Sequence, residues 1–104
     1  MYVVECSDGT YYTGFTTHVA ARVSAHNLGK GAKYTRSRLP VRLVAYACFE
    51  TRNEALSAEF HFKKLTRAEK EAVLFREDRA LAETGGQPRL DRWRDVMFVL
   101  ADAQ

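Results

Sequence analysis

Two short runs of β-branched and aromatic residues open the chain, and apolar positions at helical spacing follow them. Tyr2-Val3-Val4-Glu5-Cys6 and Thr10-Tyr11-Tyr12-Thr13-Gly14-Phe15 are β-branched and aromatic segments parted by Ser7-Asp8-Gly9. Asp-Gly supplies the positive φ of a tight turn, so the pattern predicts a β-hairpin. Thr16 or Thr17 can then cap a helix over about 18–28, which Gly29 terminates. At about 100° per residue, Arg22 and His26 fall beside Val19 and Val23, away from Ser24 and Asn27. Two polar side chains of this helix therefore face inward.

Residues 29–40 read as a loop rich in Gly, Lys and Arg that closes at Pro40, and Val41 to Phe49 reads as a third strand. Thr51-Arg52-Asn53-Glu54 has capping-box spacing and opens a second helix over about 52–65. Its polar face is Glu54, Ser57, His61 and Lys64, and its apolar arc is Ala55, Leu56, Ala58, Phe60 and Phe62. Glu59 falls inside that arc with Lys63 one turn on, and a core-facing carboxylate is costly unless compensated. Thr66-Arg67-Ala68-Glu69 repeats the capping box and starts a third helix to about Ala82, which Gly85-Gly86-Gln87-Pro88 breaks. Asp91 to Ala101 has the pattern of a final amphipathic helix.

Charge sharpens this picture. The net charge is +3 over 104 residues, and residues 1–75 hold 11 Lys and Arg against 7 Asp and Glu. Residues 76–104 hold 5 against 6, so an anion site belongs to the first three quarters. Arg22, Lys30, Lys33, Arg36, Arg38 and Arg42 form a run with no carboxylate between Asp8 and Glu50, which would project a positive field suited to a polyanion. The length fits one domain. No apolar run approaches the ~20 residues of a membrane span, and a cytoplasmic protein is expected. Cys6 and Cys48 lie in separate apolar runs, which predicts two buried reduced thiols, and His18, His26 and His61 have no metal-ligand spacing.

Arg22, His26 and Glu59 come from two helices that could share one sheet face with Tyr2 and Tyr12. Taken singly they admit structural readings: a Glu59–Lys63 or Glu59–Arg22 ion pair, a satisfied histidine, half-buried strand tyrosines. Together, Tyr12-Thr13-Gly14, with Tyr2 ten residues earlier, Arg22 ten later, His26 one helical turn beyond and Glu59 on the following helix, resembles the GIY-YIG nuclease superfamily. The loop Gly29-Lys30-Gly31-Ala32-Lys33-Tyr34-Thr35 and the segment from Glu54 through Glu59 to Lys63-Lys64-Leu65 are similar to its small single-domain bacterial branch, the YhbQ-like proteins. The resemblance covers about residues 1–75. Tyr2 has no preceding glycine to match the first motif, and Lys63 and Lys64 stand near the place where many relatives carry an asparagine.

What the resemblance implies is an α/β domain, a small mainly antiparallel three-stranded sheet flanked by helices, with residues 76–104 as a helical extension packed on the 1–75 core. It implies a metal-dependent endonuclease with Tyr2, Tyr12, Arg22, His26 and Glu59 as catalytic residues, and Glu59 as ligand to one Mg²⁺ or Mn²⁺. The residue types suit that chemistry. Phosphodiester hydrolysis needs an electrophile at the phosphate, which a carboxylate-held cation supplies, and a fork for the developing oxyanions, which an arginine supplies. A tyrosine near a cation can have its pKa lowered toward base function, with His26 relaying the proton. Which tyrosine is the base stays open, with Tyr2 preferred. The expected substrate is DNA, single-stranded by resemblance, gripped by Lys30, Lys33, Tyr34, Arg36, Arg38, Lys63 and Lys64. No membrane and no obligate protein partner are expected. A non-catalytic nucleic-acid-binding module and a domain that binds an acidic protein are the alternatives.

Overall fold

A computed structural model describes residues 1–75, 90 and 92–101. The order of elements is β1 (Tyr2–Glu5), β2 (Tyr11–Gly14), α1 (Val19–Asn27), α2 (Lys33–Arg36), β3 (Arg42–Tyr46), α3 (Arg52–Lys63), α4 (Arg67–Phe75) and β4 (Val99–Leu100). The strands form one antiparallel sheet in the order β2-β1-β3-β4. The hairpin forms as its sequence predicts: Gly9 takes φ +83° and Asp8 Oδ1 accepts from the Thr10 amide at 3.1 Å. Both predicted helix starts are capped, Thr51 as an N-cap and Thr66 with Glu69 as a full capping box. Thr51 accepts from the Glu54 amide at 3.1 Å, while Thr66 and Glu69 exchange bonds of 2.9 and 3.2 Å with each other's amides.

Alternation along β1 divides the interior in two. Val3 packs with Ala58 and Phe62 of α3, Val73 and Leu74 of α4, and Trp93. Tyr2 and Val4 face the other way, with Val19 and Val23 of α1 beside Tyr12 and Tyr46. The expectation that α1 and α3 share a sheet face is therefore corrected. Helix α1 covers one face and α3 with α4 the other, because successive strand residues point to opposite sides.

Three further expectations change. The basic segment 29–40 is not wholly irregular, since Lys33–Arg36 winds into α2. Asp91–Ala101 does not form a helix among its described residues: 92–95 turn, and Val99–Leu100 pair with Ala45 and Tyr46 as a fourth strand. The reason lies in the side chains. Val96 and Phe98 pack on the core while Met97 and Val99 are exposed, which is a period of two. Leu56 and Phe60, assigned to the apolar arc of α3, are exposed, and so is Cys48, although Cys6 is buried. The part of the third predicted helix beyond Phe75 and the Gly85–Pro88 breaker lie outside the described residues. Among those described, no helix is long and apolar enough to cross a membrane.

Candidate active site

Tyr2 stands at the start of β1, where Gly14 of β2 pairs with it. A Cβ on Gly14 would come within 2.6 Å of the Tyr2 hydroxyl, so only glycine leaves room for the phenol at this register. From the other side α1 delivers two side chains spaced by one turn. His26 Nε2 lies 2.7 Å from Tyr2 Oη, and Arg22 Nε donates to the same oxygen at 3.3 Å. Tyr2 and His26 are fully buried and Arg22 is half-buried. Arg22 commits Nε to the phenol, and the guanidinium's two terminal nitrogens remain as donors for an anion.

Burial raises the Tyr2 pKa above its ordinary value, against which the Arg22 bond acts. The expectation of a lowered tyrosine pKa is thus reversed in this structure: the phenol is protonated at neutral pH. His26 moves downward, first through burial and then through the Arg22 charge, so its imidazole is neutral. A protonated phenol against a neutral imidazole is a donor–acceptor pair along which a proton can pass.

Tyr12 joins from β2. Its ring packs edge-on against His26 at 5.4 Å and stacks on Tyr34 of α2 at 6.0 Å. Tyr34 donates to Thr10 Oγ1 at 2.9 Å, and the Arg38 guanidinium lies 3.8 Å from its ring centre. Arg38 also pairs with Asp8 at 3.0 Å, so its charge is partly neutralised. Lys30, Lys33 and Arg36 are exposed and make no ion pair among the described residues.

Glu59 reaches the site from α3, which runs beside β2. Lys63 Nζ lies 2.8 Å from Glu59 Oε1 and 5.9 Å from the Tyr12 ring centre, and the Glu59 charge is felt at both the Tyr2 phenol and the Met1 amine. Lys64 instead lies over Phe60, 4.2 Å from its ring centre. No group of three or more His, Cys, Asp or Glu side chains that could hold a metal forms among the described residues. A single carboxylate, with Oε1 bonded to Lys63, suits an ion that keeps most of its water and completes its shell with substrate phosphate, as Mg²⁺ does.

The structure brings Tyr2, Tyr12, Arg22, His26 and Tyr34 into one cluster, with Glu59 and Lys63 at its margin. It adds a residue that sequence reasoning missed. Thr35 is fully buried and places Oγ1 2.7 Å from His26 Nδ1. No periodicity marks a threonine inside a basic loop, and the one-turn helix that aims it has no signal in the hydrophobic pattern.

Residues 1–72 match the family model described as the GIY-YIG catalytic domain. A UPF0213 protein of Halobacterium salinarum is 56% identical over 73 residues, which are 70% of this chain and 95% of that one. A UPF0213 protein of Lacticaseibacillus paracasei is 58% identical over 73 residues, covering 70% and 82%. The solution NMR structure of a UPF0213 protein from Bacillus halodurans is 38% identical, spans 90% of this chain and 93% of that one, and gives a TM-score of 0.40.

Proposed function

Because the chain belongs to the GIY-YIG family, a nuclease superfamily, we propose that it is a cytoplasmic, divalent-metal-dependent endonuclease that hydrolyses phosphodiester bonds in DNA, single strands by preference. The observation that carries this reading is the contact of one buried phenol with both a neutral histidine and an arginine.

In this mechanism Arg22 receives the scissile phosphate on its terminal nitrogens, and its fork strengthens as charge develops on the phosphoryl oxygens. Docking there brings the phosphate to the side of Tyr2 on which the guanidinium sits. Tyr2 Oη takes a proton from the attacking water while passing its own to His26 Nε2. Burial keeps His26 neutral beforehand, which leaves it ready to accept. Glu59 would hold a Mg²⁺ or Mn²⁺ ion, which when bound supplies Lewis-acid polarisation of the phosphate. Tyr12 packs against the imidazole and positions phosphate or water.

Lys30, Lys33 and Arg36 supply exposed cations near Tyr34, and aromatic rings beside such cations favour unpaired strands. A base reaches Tyr34 by exchanging with the Arg38 guanidinium. Lys63 and Lys64 extend the positive margin along α3.

Cleavage of matched single-stranded, double-stranded and branched DNA, with and without Mg²⁺ or Mn²⁺, tests the reading. Metal-dependent cutting that favours single strands is expected. Binding without cleavage on every substrate would leave the non-catalytic module, and loss of DNA binding across a salt series would favour the acidic-protein partner.

A further inference from the structure

A chain of four hydrogen bonds runs through the site, and both of its ends have fixed polarity. At one end the Arg22 Nε–H can only donate, and at the other the Ala32 carbonyl can only accept. Between them lie Arg22 Nε to Tyr2 Oη at 3.3 Å, Tyr2 Oη to His26 Nε2 at 2.7 Å, His26 Nδ1 to Thr35 Oγ1 at 2.7 Å, and Thr35 Oγ1 to Ala32 O at 2.9 Å. Each hydroxyl has one proton. Thr35 gives its proton to the carbonyl and so accepts from Nδ1–H, which leaves Nε2 bare to accept from Tyr2.

The reverse polarity fails on the same count. If Thr35 donated to Nδ1, Nε2–H would point at Tyr2 Oη, which already accepts from Arg22. The phenolic proton would then have no acceptor in a fully buried position, where an unmade hydrogen bond carries its full desolvation cost.

We propose that Thr35 is a positioning residue that holds His26 as the Nδ1–H tautomer and so keeps Nε2 open to the Tyr2 proton. The consequence for catalysis rests on the function proposed above, whereas the tautomer does not. Two features leave water little room to replace Thr35. His26 and Thr35 are both sealed from solvent, and a Cβ on Gly31 would come within 2.1 Å of His26 Nδ1, so the loop backbone closes over that edge of the ring. The helix α2 aims the hydroxyl, with the Thr35 amide bonded back to Ala32 O at 3.2 Å.

Nitrogen NMR of isotope-labelled histidine in the full chain reads the tautomer directly, with His26→Gln used to assign the resonance among the three histidines. The wild type should show a protonated Nδ1 and a bare Nε2 at neutral pH. Thr35→Val keeps the shape and removes the hydroxyl, so the signal should move toward Nε2–H or a mixture, and Thr35→Ser should restore it. In the cleavage assay Thr35→Val should lower kcat about tenfold or more with little change in KM, and Thr35→Ser should recover most of the loss. A wild-type protein that carries the proton on Nε2 overturns the proposal without any variant. A Thr35→Val protein that keeps a pure Nδ1–H tautomer overturns it as well. Tautomers that behave as stated in a protein that cuts no DNA would sustain the role of Thr35 and overturn the nuclease reading alone.

Discussion

Lys63 Nζ sits 2.8 Å from Glu59 Oε1, one turn apart on α3, so the carboxylate proposed to hold the metal already has a cation from its own helix. The lysine side chain is 50% exposed and the carboxylate 17%, so water reaches the pair from the lysine end. Exposed i,i+4 pairs contribute only about 0.3–0.5 kcal/mol, far from the ~3 kcal/mol at stake in a wholly buried pair. Glu59→Gln should therefore change metal-free stability by less than about 1 kcal/mol. It should also abolish stabilisation by Mn²⁺, which amounts to about 2.7 kcal/mol at a hundredfold excess over Kd, and lower cleavage by orders of magnitude. Thermal melts with and without Mn²⁺, beside a cleavage assay, check all three. A variant that melts much lower yet still cuts DNA would remove Glu59 from the metal site.

Arg22→Lys should not restore activity. Lysine keeps the charge but cannot hold Tyr2 Oη through Nε while presenting a planar fork to phosphate. A loss concentrated in kcat, with DNA affinity near wild type, is the expected outcome. Near-native cleavage would reduce Arg22 to a general positive charge.

Lys30, Lys33 and Arg36 should govern affinity more than turnover, because they carry no ion pair among the described residues and lie outside the Tyr2–His26 contact. Each phosphate contact on a single strand contributes about 0.7 to the slope of log K against log salt. Replacing all three with Ala should flatten that slope by up to about 2, whereas Arg38→Ala should change it less, since Asp8 already offsets that charge. Titrations across a salt series decide this. An unchanged slope in the triple variant would place the DNA path elsewhere.

His26 links stability to pH with a definite sign. Its folded pKa lies below the ordinary 6.5, chiefly through burial and then through Arg22, so the unfolded chain takes up a proton in a range where the folded protein resists it. The stability this histidine contributes is present above about pH 6.5 and is lost as pH falls through the lower folded value. Urea melts on either side of that range should show the decline in wild type, and His26→Gln should lose the histidine's share of it. Cleavage, which needs the neutral ring, should lose rate on its acid limb below pH 6.5.

Much of the site could be read from spacing, because local rules govern its parts. The Asp8-Gly9 turn, the Thr51 N-cap, the Thr66 capping box, and the placement of Arg22 with His26 beside Val19 and Val23 each depend on a few neighbouring residues. What spacing could not convey depends on distant parts of the chain. Glu59 lies on the helix of the opposite sheet face and meets the site only at the β2 margin. Val99 and Leu100 become a strand because β3 offers them an edge, which the wholly apolar run Val96-Met97-Phe98-Val99-Leu100 does not itself reveal. Thr35 matters through a hydrogen bond to a histidine nine residues away, held by a single turn of helix.

In the mechanism proposed above, the Tyr2 phenol, poised between Arg22 and His26, accepts the proton of a metal-dependent phosphodiester hydrolysis. The direct measurement is cleavage of a single-stranded DNA oligonucleotide under single-turnover conditions with Mn²⁺, by wild type and Tyr2→Phe, with binding and thermal stability followed in parallel. The wild type should cut only when the metal is present, and Tyr2→Phe should bind DNA normally while cutting about a hundred- to ten-thousand-fold more slowly. A folded Tyr2→Phe protein that cuts at the wild-type rate would take the base role away from Tyr2.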